Sequence, residues 1–230
     1  MGKEMDKIIL ITGASRGIGK ALANKIKGKK IVTSRDIKSL DGVGDHPYDL
    51  DLSSEDSVKS FAKDINDNFP RVDVLINNAG ILGETTNLEE SSFETWTKVM
   101  DCNINNQFLL IKLLLPLLKK SSKGSIINVS STVGRMPREN WGAYSVSKAA
   151  LEALTVILSQ ELSKYSIIVN SVNPGGTATK MRREAFPDEN QSSLPQPEDV
   201  VPIFSYLSSD QANETGKQFD ARDYMNKEML

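Results

Sequence analysis

Five short apolar runs, each followed by a stretch with helical spacing or a turn, constrain this chain more than any other feature. They are Lys7–Thr12 (KIILIT), Lys30–Ser34 (KIVTS), Val72–Ile76 (VDVLI), Ser125–Ser130 (SIINVS) and Ile167–Val172 (IIVNSV). None alternates cleanly between apolar and polar, as strands covered on both faces do not. Between them, helices are expected at Ile18–Lys27, Glu55–Asn68 (capped by Ser53 or Ser54), Phe93–Lys119 as one or two helices, and Ala143–Lys164. A weak strand near Pro47–Leu50, a short helix near Pro197–Ser208 and a last strand near Lys217–Asp220 complete the pattern. Strands alternating with helices imply right-handed crossovers. The expected fold is therefore a single α/β domain over residues 1–230, with a doubly wound, mostly parallel, Rossmann-type sheet of about seven strands.

Composition narrows the function classes. The chain has 28 basic and 30 acidic residues, a net charge of −2, which disfavours nucleic-acid binding. One cysteine, Cys102, excludes an internal disulfide framework and fits a reducing compartment. With no basic-then-apolar leader in view, a cytoplasmic protein is expected. The most apolar stretch, Phe108–Leu118, is far short of the roughly 20 residues a membrane span needs, and is expected to be a core helix. Phe186–Pro197 (FPDENQSSLPQP) is expected to be a long mobile loop, part of a substrate loop near 179–197. The single histidine, His46, is expected in a loop, and no metal-ligand cluster is evident.

Thr12-Gly13-Ala14-Ser15-Arg16-Gly17-Ile18-Gly19 lies between the first strand and the first helix. Glycines there let the backbone turn tightly and approach a pyrophosphate at the positive end of the helix. The spacing is G-x-x-x-G-x-G, not the general dinucleotide fingerprint, and a plain chain reversal would also use glycine. Further along, Tyr144 and Lys148 are four residues apart at the start of a helix and so share a face. A phenol of pKa about 10 is a poor proton donor and acceptor at neutral pH, and a nearby cation lowers that value. The spacing alone fits a solvated surface pair equally well. Its context is more telling: Ser131 follows one apolar strand and Asn77-Asn78-Ala79-Gly80 follows another, at the carboxyl ends where parallel sheets place ligands. Asn103 sits in a helical stretch as a mediocre helix former, readable as a buried, backbone-bonded amide. Pro174-Gly175-Gly176-Thr177-Ala178-Thr179 follows the sixth strand.

Taken together and in order, TGASRGIG, NNAG, the asparagine of MDCNIN, the serine of NVSS, YSVSK and NPGGTAT resemble the short-chain dehydrogenase/reductase family over nearly the whole chain. The resemblance implies an enzyme that transfers a hydride between a nicotinamide cofactor and a carbonyl or alcohol, possible substrates being 3-oxoacyl thioesters or general carbonyl compounds. It implies Tyr144 as general acid and base, and Lys148 holding the nicotinamide ribose and depressing the Tyr144 pKa. Ser131 would bond the substrate oxygen, and Asn103 would anchor a proton-relaying water. Gly13, Ser15, Arg16, Gly17, Ile18 and Gly19 would cradle the cofactor, as would Asn78, Ala79, Gly80, Pro174 and Gly175, with Thr177 and Thr179 on its carboxamide and phosphate. Asp51 is similar to the family's adenine-binding aspartate, with Leu52 beside it. A cofactor-binding scaffold that has lost turnover is the rival reading, and the intact Asn103, Ser131, Tyr144 and Lys148 argue against it.

Cofactor choice turns on Thr33-Ser34-Arg35-Asp36 after the second strand. An acid there accepts the ribose hydroxyls of NAD, whereas an arginine meets the 2′-phosphate of NADP. Ser34 stands where an acid would favour NAD, and Arg35 and Arg16 supply two cations, so NADP(H) is expected. Asp36 is the opposing residue and would favour NAD(H) if the strand ran longer. The segment 35–51 is short, so its helix is expected to be trimmed to a turn. The ending Thr215–Asp223 lacks the family's glycine-rich pattern, a departure that counts against the family's usual tetramer, yet a homodimer or homotetramer is still the expected assembly. Candidate substrate-pocket walls are 83–86, 136–141 and 182–195, with Arg182 and Arg183 as possible anion contacts.

Overall fold

The first strand, β1 (Ile8–Ile11), is buried at every position and pairs on both sides: with β2 (Lys29–Ser34) and with β4 (Val74–Asn77). A computed structural model describes residues 6–225 and places β1 inside a seven-stranded sheet, next to the central strand β4. The order is β3-β2-β1-β4-β5-β6-β7, with β3 at His46–Asp49, β5 at Gly124–Val129, β6 at Ile167–Asn173 and β7 at Gln218–Asp220. Every pairing is parallel, including the last strand, so the sheet is more uniform than the mostly parallel one expected.

Side-chain alternation along the strands divides the interior in two. Ile8 and Leu10 join a core with α2 (Glu55–Asn68), α4 (Asn106–Leu118) and α6 (Gly142–Leu162), through Phe61, Ile65, Leu110, Leu114 and Leu158. Ile9 and Ile11 face the other way, onto α1 (Gly17–Lys25) and α8 (Val201–Leu207), through Leu22, Ile203, Phe204 and Leu207. Each fully buried aliphatic side chain stabilises the fold by about 1.5–3 kcal/mol relative to exposure. That covering of both faces explains why the strands read as continuous apolar runs. The α2 helix starts as expected, Ser54 Oγ accepting from Ser57 N at 3.2 Å. The Phe108–Leu118 stretch is the expected core helix, and among the described residues no helix is long and apolar enough to cross a membrane.

The stretch 93–119 is two helices, within the one or two expected: α3 (Phe93–Met100) and α4, joined by a π-helical turn over Asp101–Asn105. One expectation needs correction. His46 is not in a loop: it opens β3 and meets the Phe69 ring edge-on, centroids 5.2 Å apart. The segment expected as a long loop is a loop. It begins after α7 (Lys180–Ala185), contains a 3-10 turn at Gln191–Ser193, and is tied back by Ala178 N donating to Pro195 O at 2.9 Å. The trimmed connection after β2 is a single 3-10 turn, Ile37–Leu40, as its length suggested.

The order of strands reverses direction between β1 and β4. The connections leaving their carboxyl ends diverge there and open a crevice, which is where open α/β sheets bind ligands.

Candidate functional site

The crevice is a cleft of about 460 Å³ with the glycine loop along one side. Gly13 has φ +69°, and a Cβ there would lie 2.9 Å from Ala79 Cα. At Gly19 a Cβ would stand 2.2 Å from the Gly13 carbonyl oxygen and 2.6 Å from Asn78 Nδ2, so only glycine fits without moving backbone. The loop is braced from β4. Asn78 Nδ2 donates to the carbonyls of Thr12 (2.8 Å) and Gly13 (3.0 Å), while Thr12 Oγ1 accepts from the backbone N–H groups of Asn78 and Ala79. The side-chain amide of Asn78 is thus spent on holding the loop. Helix α1 begins at Gly17 with no side-chain cap and no acid in its first turn, which leaves its N–H groups to an anion. Ser15, Arg16 and Ile18 also line the cleft.

Farther along the same wall, β2 ends at Ser34, where the sequence placed its end. Ser34 Oγ lies 2.8 Å from Ser39 Oγ, and Asp36 caps the 3-10 turn by accepting from Lys38 N at 3.0 Å. Arg35 and Arg16 are exposed and line the cleft, and their side chains make no hydrogen bond or ion pair among the described residues. Asp51 Oδ1 accepts from the backbone N–H (2.9 Å) and hydroxyl (2.7 Å) of Ser53. Burial pushes the Asp51 carboxyl up, but these bonds and the nearby Arg35 guanidinium outweigh it and leave its pKa below the ordinary value. Leu52 lines the cleft beside it.

Opposite the glycine loop, the cleft meets α6 and the carboxyl end of β5. Ser131 heads the short helix α5 (Thr132–Arg135), and Tyr144 and Lys148 face the cleft one turn apart on α6. The Lys148 ammonium donates to the Val129 carbonyl at 2.7 Å and lies 5.8 Å from the Tyr144 ring centroid. Burial raises the Tyr144 phenol above its usual pKa, with the Ser131 hydroxyl acting the other way. The depression of that phenol expected from Lys148 is opposed by burial, which sets the net direction, and the ammonium is turned onto the Val129 carbonyl. Burial also pulls Lys148 down to about 8. Asn103 lies behind the cleft wall, fully buried in the π-helical turn. Its Oδ1 accepts from Ile81 N (2.9 Å), and its Nδ2 donates to Ile81 O (2.9 Å) and Ser147 Oγ (3.1 Å). The backbone-bonded amide is thus what the structure contains, and the side chain holds no cleft position from which to anchor a water. Gly80 passes in front of it, with room for no more than a Cβ 3.1 Å from Asn103 Oδ1.

The loop after β6 closes the cleft. Gly175 has φ +68° and donates its N–H to Asn173 Oδ1 at 3.0 Å. Pro174, Gly175, Thr177 and Thr179 all line the cleft. Thr177 Oγ1 donates to Pro174 O (3.2 Å), and Thr179 Oγ1 accepts from Arg182 N (3.2 Å) as the cap of α7. Sequence reasoning misses Ser130, whose buried Oγ lines the cleft without a hydrogen-bond partner among the described residues. It also misses Ile81 and Leu82, whose only sequence signal is proximity to the motifs, and which form an apolar rim with Trp141, Met181 and Ala185 of the expected walls and loop. Trp141 packs on Tyr144 and Phe186 with centroids 5.9 and 5.7 Å away. Arg182 is not free for an anion: Glu189 takes it through two 2.6 Å bonds, and it stacks 3.9 Å over Phe186.

A loop shaped for a pyrophosphate, running into a buried hydroxyl–phenol–ammonium cluster, defines a nucleotide-dependent oxidoreductase of the doubly wound class. Comparison with known proteins narrows this. The family model for short chain dehydrogenase matches residues 7–190, and the chain belongs to that family. It is similar to the oxidoreductase YciK of Escherichia coli K12, 38% identical over 94% of this chain and 92% of that protein. It is also similar to the 3-oxoacyl-[acyl-carrier-protein] reductase FabG of Vibrio cholerae, 31% identical over 90% and 91% of the two chains. Among solved structures, a short chain dehydrogenase from Escherichia coli CFT073 complexed with NADPH superimposes with a TM-score of 0.90 at 38% identity, covering 95% of this chain and 97% of that one.

Proposed function

We propose that this chain reduces a carbonyl compound, or oxidises the corresponding alcohol, with NADP(H) as its cofactor. The observation that carries the reading is the buried Tyr144 phenol beside Ser131, with Lys148 one turn along, inside the same cleft as the glycine loop. The absence of space for a Cβ at Gly13 and Gly19 and the unpartnered Ser130 hydroxyl fit a dinucleotide lying along that cleft. Such a cofactor supplies or accepts the hydride. Tyr144 then gives its proton to the substrate oxygen in reduction and takes it back in oxidation, while Ser131 donates a hydrogen bond to the same oxygen. Lys148 holds ribose hydroxyls and, once the site is filled, favours the ionised phenol. Asn103 serves as a brace for Ile81 and the Ser147 turn. Gly13, Ser15, Arg16, Gly17, Ile18 and Gly19 hold the phosphates, with Ala79, Gly80, Pro174, Gly175, Thr177 and Thr179 on the nicotinamide side and Asp51 and Leu52 on the adenine side. The rim of Leu82, Trp141, Met181 and Ala185, with Arg182 neutralised by Glu189, supports a substrate whose carbonyl neighbourhood is apolar and uncharged.

The preference for NADP(H) is supported by the end of β2 at Ser34, the commitment of Asp36 to a cap and the two uncommitted arginines. Arg35→Ala is expected to raise the NADPH dissociation constant about tenfold and leave that for NADH nearly unchanged. Titrating the variant with both cofactors checks this; equal weakening of the two would return Asp36 to the role of selector.

The homo-oligomer reading also draws support from the surface. Val146, Ala153 and Ile157 form an exposed stripe along α6, with Phe108 exposed on α4. Such spacing suits helix-to-helix packing between copies. Light scattering should give twice or four times the 25.3 kDa chain mass, and Ile157→Lys should lower it; a monomeric parent would refute the oligomer.

A further inference from the structure

Arg135 ends helix α5 four residues after Ser131, and Glu152 lies on α6 four residues after Lys148. Their side chains meet in the interior, Arg135 Nε donating to Glu152 Oε1 at 2.8 Å, with the guanidinium 16% and the carboxylate 7% exposed. Both terminal nitrogens of the fork are used as well. One terminal nitrogen reaches Asp220 Oδ2 (3.2 Å); the other reaches Ser171 Oγ (3.4 Å) and Phe219 O (3.1 Å). Ser171 Oγ donates to the other Glu152 oxygen. Asp220 continues the chain of contacts by accepting from Asn173 Nδ2 at 2.6 Å, and Asn173 Nδ2 also donates to Thr132 Oγ1 at 3.1 Å. Asn173 Oδ1 in turn accepts the N–H of Gly175.

This network touches the substrate side of the site, and neither Arg135 nor Glu152 lines the cleft. Thr132 adjoins Ser131, Glu152 shares the α6 face with Lys148, and Gly175 is in the loop that closes the cleft. The two helices are also pressed together at that level, since a Cβ on Gly134 would lie 2.8 Å from Lys148 Cβ. We infer that Arg135 and Glu152 are a positioning pair for the reaction, fixing the Ser131 turn, the Tyr144–Lys148 turn and the Gly175 loop in one register. The inference rests on the oxidoreductase reading for its kinetic part only.

A planar fork with donors on two sides is required, because a lysine cannot meet the carboxylates of Glu152 and Asp220 and a backbone carbonyl together. The pair also acts electrostatically. Lys148 is faced by Cys102 from the turn between α3 and α4, by Tyr144 and Glu152 from its own helix, by the Val129 carbonyl of β5 and by uncharged Gly134 of α5. Of these, Glu152 carries the charge that favours the ammonium against its burial, since burial pushes the Cys102 thiol up to about 11 and leaves it neutral where Lys148 titrates. Losing the Glu152 charge lowers the pH at which Lys148 gives up its proton, so activity that needs the ammonium is lost at lower pH.

Arg71–Asp73 supplies the control. It is an ion pair of similar burial, 17% and 6% exposed, but it serves Ile8 N and Ser121 at the opposite end of the sheet. At a temperature where circular dichroism shows every variant folded, Arg135→Met should lower kcat about tenfold or more while each KM stays within about threefold. Arg135→Lys should recover only part of that loss, and Arg71→Met should lose stability without losing kcat. In Glu152→Gln, the alkaline limb of kcat against pH should move down. So should the Lys148 13Cε titration, assigned by its loss in Lys148→Met. An Arg135→Met kcat within about twofold of the parent, or an equal loss in Arg71→Met, would overturn the pair's role in positioning. An unmoved Lys148 titration would overturn the electrostatic part. A parent inactive toward carbonyls and alcohols with either cofactor would remove the oxidoreductase reading instead, and the Lys148 titration would then decide the pair alone.

Discussion

Tyr144→Phe is expected to lower kcat by about 10²–10⁴-fold, the usual worth of a positioned general acid. Cofactor affinity should change little. On the proposed reading, Tyr144 is the group that gives its proton to the substrate oxygen, while Ser131 only hydrogen-bonds to it and Lys148 is bonded to Val129 O. Removing the phenol oxygen breaks no bond that holds the backbone, since the main-chain carbonyl of Tyr144 still accepts from Ser147 Oγ at 2.8 Å. The ring would keep its packing against Trp141. Steady-state rates with a responsive carbonyl compound, together with a fluorescence titration of NADPH, separate the two effects. Equal rates for variant and parent would take Tyr144 out of the chemistry.

Gly19→Ala is expected to be nearly as severe, through binding rather than chemistry. A methyl group 2.2 Å from the Gly13 carbonyl oxygen and 2.6 Å from Asn78 Nδ2 cannot be absorbed by a side-chain rotation, because one neighbour is backbone and the other braces that same backbone. The loop must move, and the phosphate site moves with it. Overpacking of this kind costs about 1–3 kcal/mol of stability. Losing even two well-formed charge-assisted contacts of about 1.5–3 kcal/mol each would weaken the cofactor by 10²-fold or more. A melting curve and an NADPH titration on the same preparation test both parts, and a dissociation constant unchanged from the parent would show that the loop does not hold phosphates.

Elements whose signal is local are legible in the amino-acid sequence itself. The strands β1, β4, β5 and β6 are buried on both faces, and so their apolar runs mark them within a residue or two. The Ser54 cap marks α2, and the glycine spacing marks the tight passage at Gly13 and Gly19, where backbone and not side chain sets the requirement. What escapes depends on partners distant in the chain. The π-helical turn at Asp101–Asn105 has no periodicity of its own; it accompanies Asn103 reaching Ile81 and Ser147. His46 opens a strand whose burial alternates and whose weak signal begins only at Pro47, and its order comes from β2 alongside. The charge state of Tyr144 cannot be read from spacing, which reports the nearness of Lys148 and says nothing of desolvation, and desolvation acts on both groups. Arg182 looks available in the sequence because Glu189, seven residues on, gives no helical spacing to suggest the pair.

The strand order also bears on how the polypeptide reaches this state during synthesis. The first strand made, β1, lies inside the sheet, yet its two neighbours, β2 and β4, begin at residues 29 and 74. Until β4 emerges, one edge of β1 has no partner, and parallel pairing offers no local hairpin to protect it in the interval. From β4 onward each new strand adds to the edge left by the one before it, through β5 and β6 to β7. Growth then proceeds in one direction, in step with the ribosome. It ends on a strand of three residues, too short to recruit a neighbouring chain.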